Sequence, residues 1–518
     1  MNKQLGKIGV TCMVLLMVLG CSKTKDVTPA AAIKGITSFQ FTTAKNKTLY
    51  QNITCTIQND TVYAATFSGT DISALIPDFG SDGIKVTVNN TVQQSGVTAQ
   101  DFTKLVVYTI TAQDGRTKNC YIVFTDTKLP AIYISTNNTP IVSTVDYVAG
   151  NISIKAGMPG TEQYQGNLEI RGRGNSTWGM PKQPYKFKLE KKAGLLEMHT
   201  SKQWVLLANY ADKTLMRNEV AFELSRRLGL AYTTDSRYAD VILNGKYIGN
   251  YELVEQIDVD DDKVNIAEQD IATTTLPGIS GGYLFEMDGF SYAEPVNFLT
   301  PLGMGVTVHY PDDEDINDVQ RNYITNYVGM FENSLFSAGF DNAATGYKQY
   351  FDIDSYINWY LVNEIIANPD TFWSTYMYKD RDNAKIYTGP VWDFDIAANN
   401  DIRLGNVVNA LMIDVAHEPK VWIRRLMEDP AFRIAIRNRW NAVKTDKVKT
   451  ITAYVDELAA KLSISQKTNF IAWPILQTNV YLNFQVAGSY EAEVAYLKTF
   501  LTNRITWLDF QFNGDRFK

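Results

Sequence analysis

Residues 361–395 read LVNEIIANPDTFWSTYMYKDRDNAKIYTGPVWDFD. The run through Ile366 is largely apolar and reads as a helix. Asn368-Pro369-Asp370 ends it, because proline lacks an amide hydrogen and its ring clashes with the preceding turn. Asp370 therefore falls on a short loop. MYKD and AKIYTG then read as two short strands that lead directly into Val391-Trp392-Asp393-Phe394-Asp395. In an extended strand successive side chains alternate, so Asp393 and Asp395 are expected on one face and Trp392 and Phe394 on the other. Two acids on one edge repel, and a cation, a hydrogen-bond network or open water must relieve them. Taken alone, the stretch fits either a solvated strand end or a metal clamp.

Upstream, RGRGNSTWGMPKQPYKFKLEKK spans residues 171–192. Gly172 and Gly174 free the backbone to turn tightly and approach a ligand, while Arg171 and Arg173 project to one side. Lys186 and Lys188 share one face of the strand that follows. Amide donors beside a cation fixed on a rigid element suit a triphosphate. A plain turn and an edge strand with solvated lysines fit the same residues. TLMRNEVAFELSRRLGL, residues 214–230, repeats Met216, Val220 and Leu224 at helical spacing, with Gly229 as its stop. YADVILNGKYIGNYELVEQI, residues 238–257, reads as a hairpin turning at Asn244-Gly245. Helices dominate beyond about residue 316, and no internal repeat is visible.

The 518 residues carry 49 Lys+Arg against 56 Asp+Glu, a net charge of -7, which argues against a nucleic-acid binder with a broad basic face. Lys3 and Lys7 precede an apolar run ending at Gly20, too short to span a membrane and suited to an export signal. Residues 1–21 are therefore read as a signal peptide. Val18-Leu19-Gly20-Cys21 resembles a bacterial lipobox, which implies cleavage before Cys21, its lipidation, and anchorage to the outer membrane on its periplasmic or cell-surface face. Residues 22–32 read as a tether. From 33 to 127 short alternating strands predict an all-β sandwich, with Asp114-Gly115 as a two-residue hairpin turn. Cys55 and Cys120 alternate with apolar residues and face one core, as a disulfide or as two buried thiols. This segment resembles the immunoglobulin-like or cadherin-like modules of Bacteroidetes-type surface proteins.

Three further motifs lack their context. GISGG, residues 278–282, has the spacing of a nucleophile elbow, but a strand-like run follows Ser280 where a helix is needed. DVDDDKVNIAEQ, residues 258–269, has Lys263 and Gln269 where a calcium loop needs Gly and Glu. His199, His309 and His417 are too scattered for a common zinc site.

The order helix, loop acid, hairpin, paired acids matches protein kinases, where one carboxylate accepts the hydroxyl proton and another holds magnesium. Together with RGRGNSTW, the lysine strand, ADKTLMRNEVAFELSRRLG, NGKYIGNYELVEQI and VWIRRLMEDPAFRIAIRNRW, it makes residues 130–515 resemble the CotH kinase family. That resemblance implies an α+β chain with an atypical, two-lobed protein-kinase-like domain behind the sandwich. It implies transfer of the γ-phosphoryl group of Mg-ATP to Ser/Thr hydroxyls of a secreted or surface protein, with Mg2+, or Mn2+ in its place. Asp370 is the expected catalytic acid, and Asp393 and Asp395 the metal ligands. Arg171, Arg173, Lys186 and Lys188 are the expected nucleotide contacts, with Glu255 in the linker that receives adenine. Glu219 or Glu223 is the expected orienting partner of the lysine, and Asn399 or Asn400 a further oxygen ligand. Residues 396–400 lack the glycine that many relatives place there. The alternatives are an inactive kinase-like binding or adhesion protein and a carboxylate-pair glycoside hydrolase.

Overall fold

Seven strands close into a barrel in the spatial order Ala131–Ser135, Val148–Ala156, Thr161–Gly172, Tyr185–Gly194, Thr200–Leu207, Lys246–Glu255, Ser236–Leu243. This is the first layer of the larger unit in a computed structural model that describes residues 35–157 and 160–518. The export signal, Cys21 and the tether lie outside the described residues. Closure comes from the parallel pairing of Ala131–Ser135 with Ser236–Leu243; the other neighbours are antiparallel. Ile132, Ile154, Ile170, Phe187, Trp204 and Leu253 fill the interior, so the barrel is a packed core rather than a pore. Lys186 and Lys188 alternate with Phe187 and point outward. Leu243 pairs with Lys246 across the two-residue turn Asn244-Gly245, both residues at positive φ (50° and 75°), as a type I′ turn requires.

The helix Arg217–Leu228 stops where Gly229 turns left-handed at φ 73°. Its Val220, Leu224 and Leu228 join a core that also takes Val205, Tyr238 and Val254 from the outer wall of the barrel. The same core continues into the helices Ile353–Ile366, Pro430–Val443, Ile451–Leu462 and Tyr490–Phe512. Beside it lies an antiparallel sheet in the order Asn297–Leu299, Gly305–Tyr310, Tyr283–Met287, Thr375–Lys379, Ile386–Thr388. The chain is α+β with a β-rich N-terminal region, and its apolar core runs from the barrel wall into the helical half.

In that N-terminal region a three-stranded and a six-stranded sheet share a core of Phe39, Phe41, Val62, Tyr108 and Ile122. The Asp114-Gly115 hairpin is one residue longer than expected: Ala112 pairs with Arg116, leaving Gln113, Asp114 and Gly115 in the loop. Cys55 and Cys120 are unbonded thiols, and burial pushes their pKa values up to about 12 and about 11. Phe67 stacks on Tyr247 at 4.3 Å and the Tyr133 hydroxyl donates to the Ser68 carbonyl, which seats the region against the barrel wall.

Candidate functional site

The helix Ile353–Ile366 ends as expected, with Ala367 left-handed at φ 48° and Asp370 in the turn that follows. The hairpin Thr375–Lys379 and Ile386–Thr388 then returns the chain, but the strand stops at Thr388. Strict alternation through residues 391–395 is therefore not the geometry. Asp393 takes φ 70°, Phe394 turns into the core, and Trp392 packs half-buried on Phe222 with 6.1 Å between ring centroids. The two acids nevertheless line one cleft together.

Across from them Arg173 lies over the Trp392 ring at 5.3 Å, carried there by the glycine-bearing turn after Thr161–Gly172. The floor between is lined by Asn209, Tyr210 and Asn218. Burial, then the charge of Asp370, pushes the Asp393 carboxyl up to about 6. Burial, then the charge of Asp393, pushes Asp395 up to about 8. Asp393 is exposed and Asp395 half-buried, and both line the recess. Burial also raises Asp370, opposed by Arg403, whose guanidinium stands 3.8 Å away, and by His417. Behind Arg173, burial and the charges of Arg171 and Arg173 bring Lys186 down to about 8.

Hydrogen bonding separates these groups from their neighbours. Among the described residues nothing donates to the carboxylates of Asp393 or Asp395, and nothing accepts from the guanidinium of Arg173 or the ammonium of Lys186. No group of three or more His, Cys, Asp or Glu side chains among the described residues is disposed to hold a metal. An ion here would rest on two carboxylates and complete its shell from water and phosphate oxygens, which suits Mg2+. The donor set fits that ion: two mutually repelling carboxylates with unused acceptor capacity.

The other expected contacts are engaged elsewhere. Arg171 donates to the Thr144 carbonyl and lies 5.0 Å over Tyr147. Lys188 is paired with Glu169 at 2.9 Å. Glu255 is fully buried and accepts from the Tyr232 hydroxyl (2.8 Å) and the Asp235 amide (3.2 Å), while the backbone at Glu255 and Gln256 is committed to the strand of Trp204 and Gln203. Neither glutamate of the helix Arg217–Leu228 reaches a lysine of the strand: Glu219 holds Arg226, Ser236 and Tyr454, and Glu223 holds Arg226 and Arg227. Asn399 is bonded to Tyr496 and the Val407 amide, and Asn400 to Ala211, Asp395 and Asn483, so both amides are structural. Asn209, Asn218 and Trp392 line the cleft without having been read as site residues; Trp392 was visible beside the acids, but amides on a helix and a turn carry no sequence signal.

The sequence model of the family described as CotH kinase protein matches residues 170–508, and that described as SGBP, N-terminal, matches residues 36–124. No curated protein matches significantly. A solved structure from Bacteroides thetaiotaomicron, described as a provisionally assigned glycoside hydrolase, is 18% identical over 51% of this chain, with a TM-score of 0.16. The chain spans 63% of that protein's length.

Proposed function

The chain belongs to the CotH kinase family, and we propose that its cleft binds Mg-ATP between a barrel lobe and a helical lobe and transfers the γ-phosphoryl group to a Ser or Thr hydroxyl. One observation carries this reading. Across one recess Arg173, without a protein acceptor, faces the carboxylates of Asp393 and Asp395, without protein donors, and Lys186, also without an acceptor, lies close behind Arg173. A polyanion together with a divalent cation satisfies both walls at once; neither does so alone.

Arg173 and Lys186 hold the phosphates, and Asp393 and Asp395 hold Mg2+, or Mn2+ in its place, which when bound neutralises phosphate charge. Asp370 orients the acceptor hydroxyl and takes its proton as the new O–P bond forms and the bond to the departing ADP breaks. The Arg403 guanidinium beside Asp370 favours the ionised carboxylate that this step needs. Arg171, Lys188 and Glu255 have no part in the reading, because each is bound to other groups of the protein. The acceptor is a secreted or surface protein, reached by a chain exported and lipid-anchored to the outer membrane through Cys21.

A second reading, nucleotide binding without transfer, is favoured by Asn399 and Asn400, whose bonds leave two carboxylates as the whole protein share of the metal site. The carboxylate-pair hydrolase leaves Arg173 and Lys186 without a role. Asp370→Asn separates these readings. The kinase reading expects radiolabel transfer to a Ser-rich protein to be lost while nucleotide binding persists. Binding with no transfer by wild type across metals and acceptors would support the second reading.

A further inference from the structure

The peptide unit between Asp393 and Phe394 is gripped at both ends by asparagines from separate parts of the fold. The Phe394 amide donates to Asn218 Oδ1 at 2.8 Å, and the Asp393 carbonyl accepts from Asn368 Nδ2 at 3.2 Å. Asn368 also accepts the Asp370 amide through its Oδ1, at 3.2 Å. One side chain thus ties the loop of the catalytic acid to the loop of the paired acids. Both asparagines are at least nine-tenths buried.

The direction of each amide is forced. Asn209 Nδ2 faces the Leu215 carbonyl at 3.3 Å, which only accepts, and the Glu252 carboxyl at 2.9 Å. Its Oδ1 must therefore face Asn218, which turns its Nδ2 toward Asn209 at 3.0 Å and its Oδ1 toward Phe394. Asp393 meanwhile holds φ 70°, a left-handed conformation that a non-glycine residue keeps only where its surroundings fix it.

We propose that Asn218 and Asn368 are positioning residues that clamp the Asp393–Phe394 peptide and so set the placement of Asp393 and Asp395 relative to Asp370. The proposal rests on the two-acid reading of the cleft and adds its support structure. Neither asparagine touches the reacting groups. Their effect is orientation, the role that outer partners of metal ligands commonly play, and loss of such a partner weakens metal binding by about 10- to 100-fold.

The test compares Asn218→Thr with Asn218→Val, near-isosteric side chains of which only threonine retains a donor and an acceptor. Hydrogen exchange of the 391–396 backbone and Mn2+ affinity by electron paramagnetic resonance are measured on the purified full chain, with Asp393→Ala as the reference. Asn218→Val is expected to speed exchange at the Phe394 amide by about tenfold and to weaken Mn2+ by the factor above, with Asn218→Thr close to wild type in both. Wild-type exchange and affinity in Asn218→Val would overturn the clamp, as would equal losses in both variants at an unchanged melting temperature. If wild type binds Mn2+ no better than Asp393→Ala, the metal reading fails, and exchange alone decides the clamp. Should Asn218→Val not fold, Asn368→Ser against Asn368→Ala reads the same peptide from its carbonyl side by the same two measurements.

Discussion

Charge is handled in opposite ways in the cleft and just beneath it. Below, Asp212 accepts from the Thr214 amide and hydroxyl, the Arg217 amide and the Arg217 guanidinium, which in turn donates to the Ala397 carbonyl. Arg504, fully buried, donates to the Glu364 carboxylate and to the carbonyls of Glu364, Val407 and Ala410. In the cleft Asp393, Asp395 and Arg173 have no such partners, nor does Lys186 behind Arg173. A fold that pairs one set and leaves the other open is keeping the second set for something that arrives from solution.

The contrast breaks first on stability. Arg504→Leu or Arg217→Leu strands a buried carboxylate and should destabilise the protein by about 3–5 kcal/mol in urea unfolding. Asp395→Asn should do the reverse in the absence of metal, stabilising by about 1–2 kcal/mol because it removes an acid that burial, and then the charge of Asp393, disfavours in its ionised form. A loss of stability in Asp395→Asn would mean that its carboxylate is already satisfied.

The pH dependence sharpens the same point. An unfolded aspartate loses its proton near pH 4, whereas Asp393 and Asp395 hold theirs to about 6 and about 8. The folded state therefore binds more protons than the unfolded state between those limits. The contribution of these two groups is fully present below about pH 4 and is lost as pH rises through 6 and 8. Metal-free unfolding free energy should fall across that window in wild type and more shallowly in the Asp393→Asn, Asp395→Asn double variant. Parallel curves would refute the assignment.

The smallest effect separates the two lysines. Lys188→Ala removes an exposed pair with Glu169 and should cost no more than about 1 kcal/mol while leaving ATP binding intact. Lys186→Ala should spare stability and weaken ATP binding at least tenfold, read by titration calorimetry. Equal effects would merge the residues that the structure holds apart.

Sequence reading could not have separated them, because alternation puts both lysines on one face. The cross-strand register decides: Lys188 lies opposite Glu169 and is neutralised, whereas Lys186 lies opposite Arg171 and is not. Local features were legible for local reasons: the Asn244-Gly245 turn, the Gly229 stop, the helix end at Ile366 and the order of Asp370, hairpin and paired acids. Barrel closure was not, since it joins Ala131–Ser135 to a strand about a hundred residues away. Nor was Asn218, whose partner at Phe394 lies 176 positions along the chain. Glu255 read as a linker residue because nothing in VEQI announces that Tyr232 and Asp235 will enclose it.

The account stands most directly on whether nucleotide and metal need each other. Titration calorimetry of ATP into the purified protein, with and without Mg2+, measures this on wild type and on Asp393→Ala. Wild type should bind Mg-ATP well and metal-free ATP weakly, and Asp393→Ala should erase the difference. Equal ATP affinity with and without Mg2+ in wild type, or no ATP binding at all, would contradict the account.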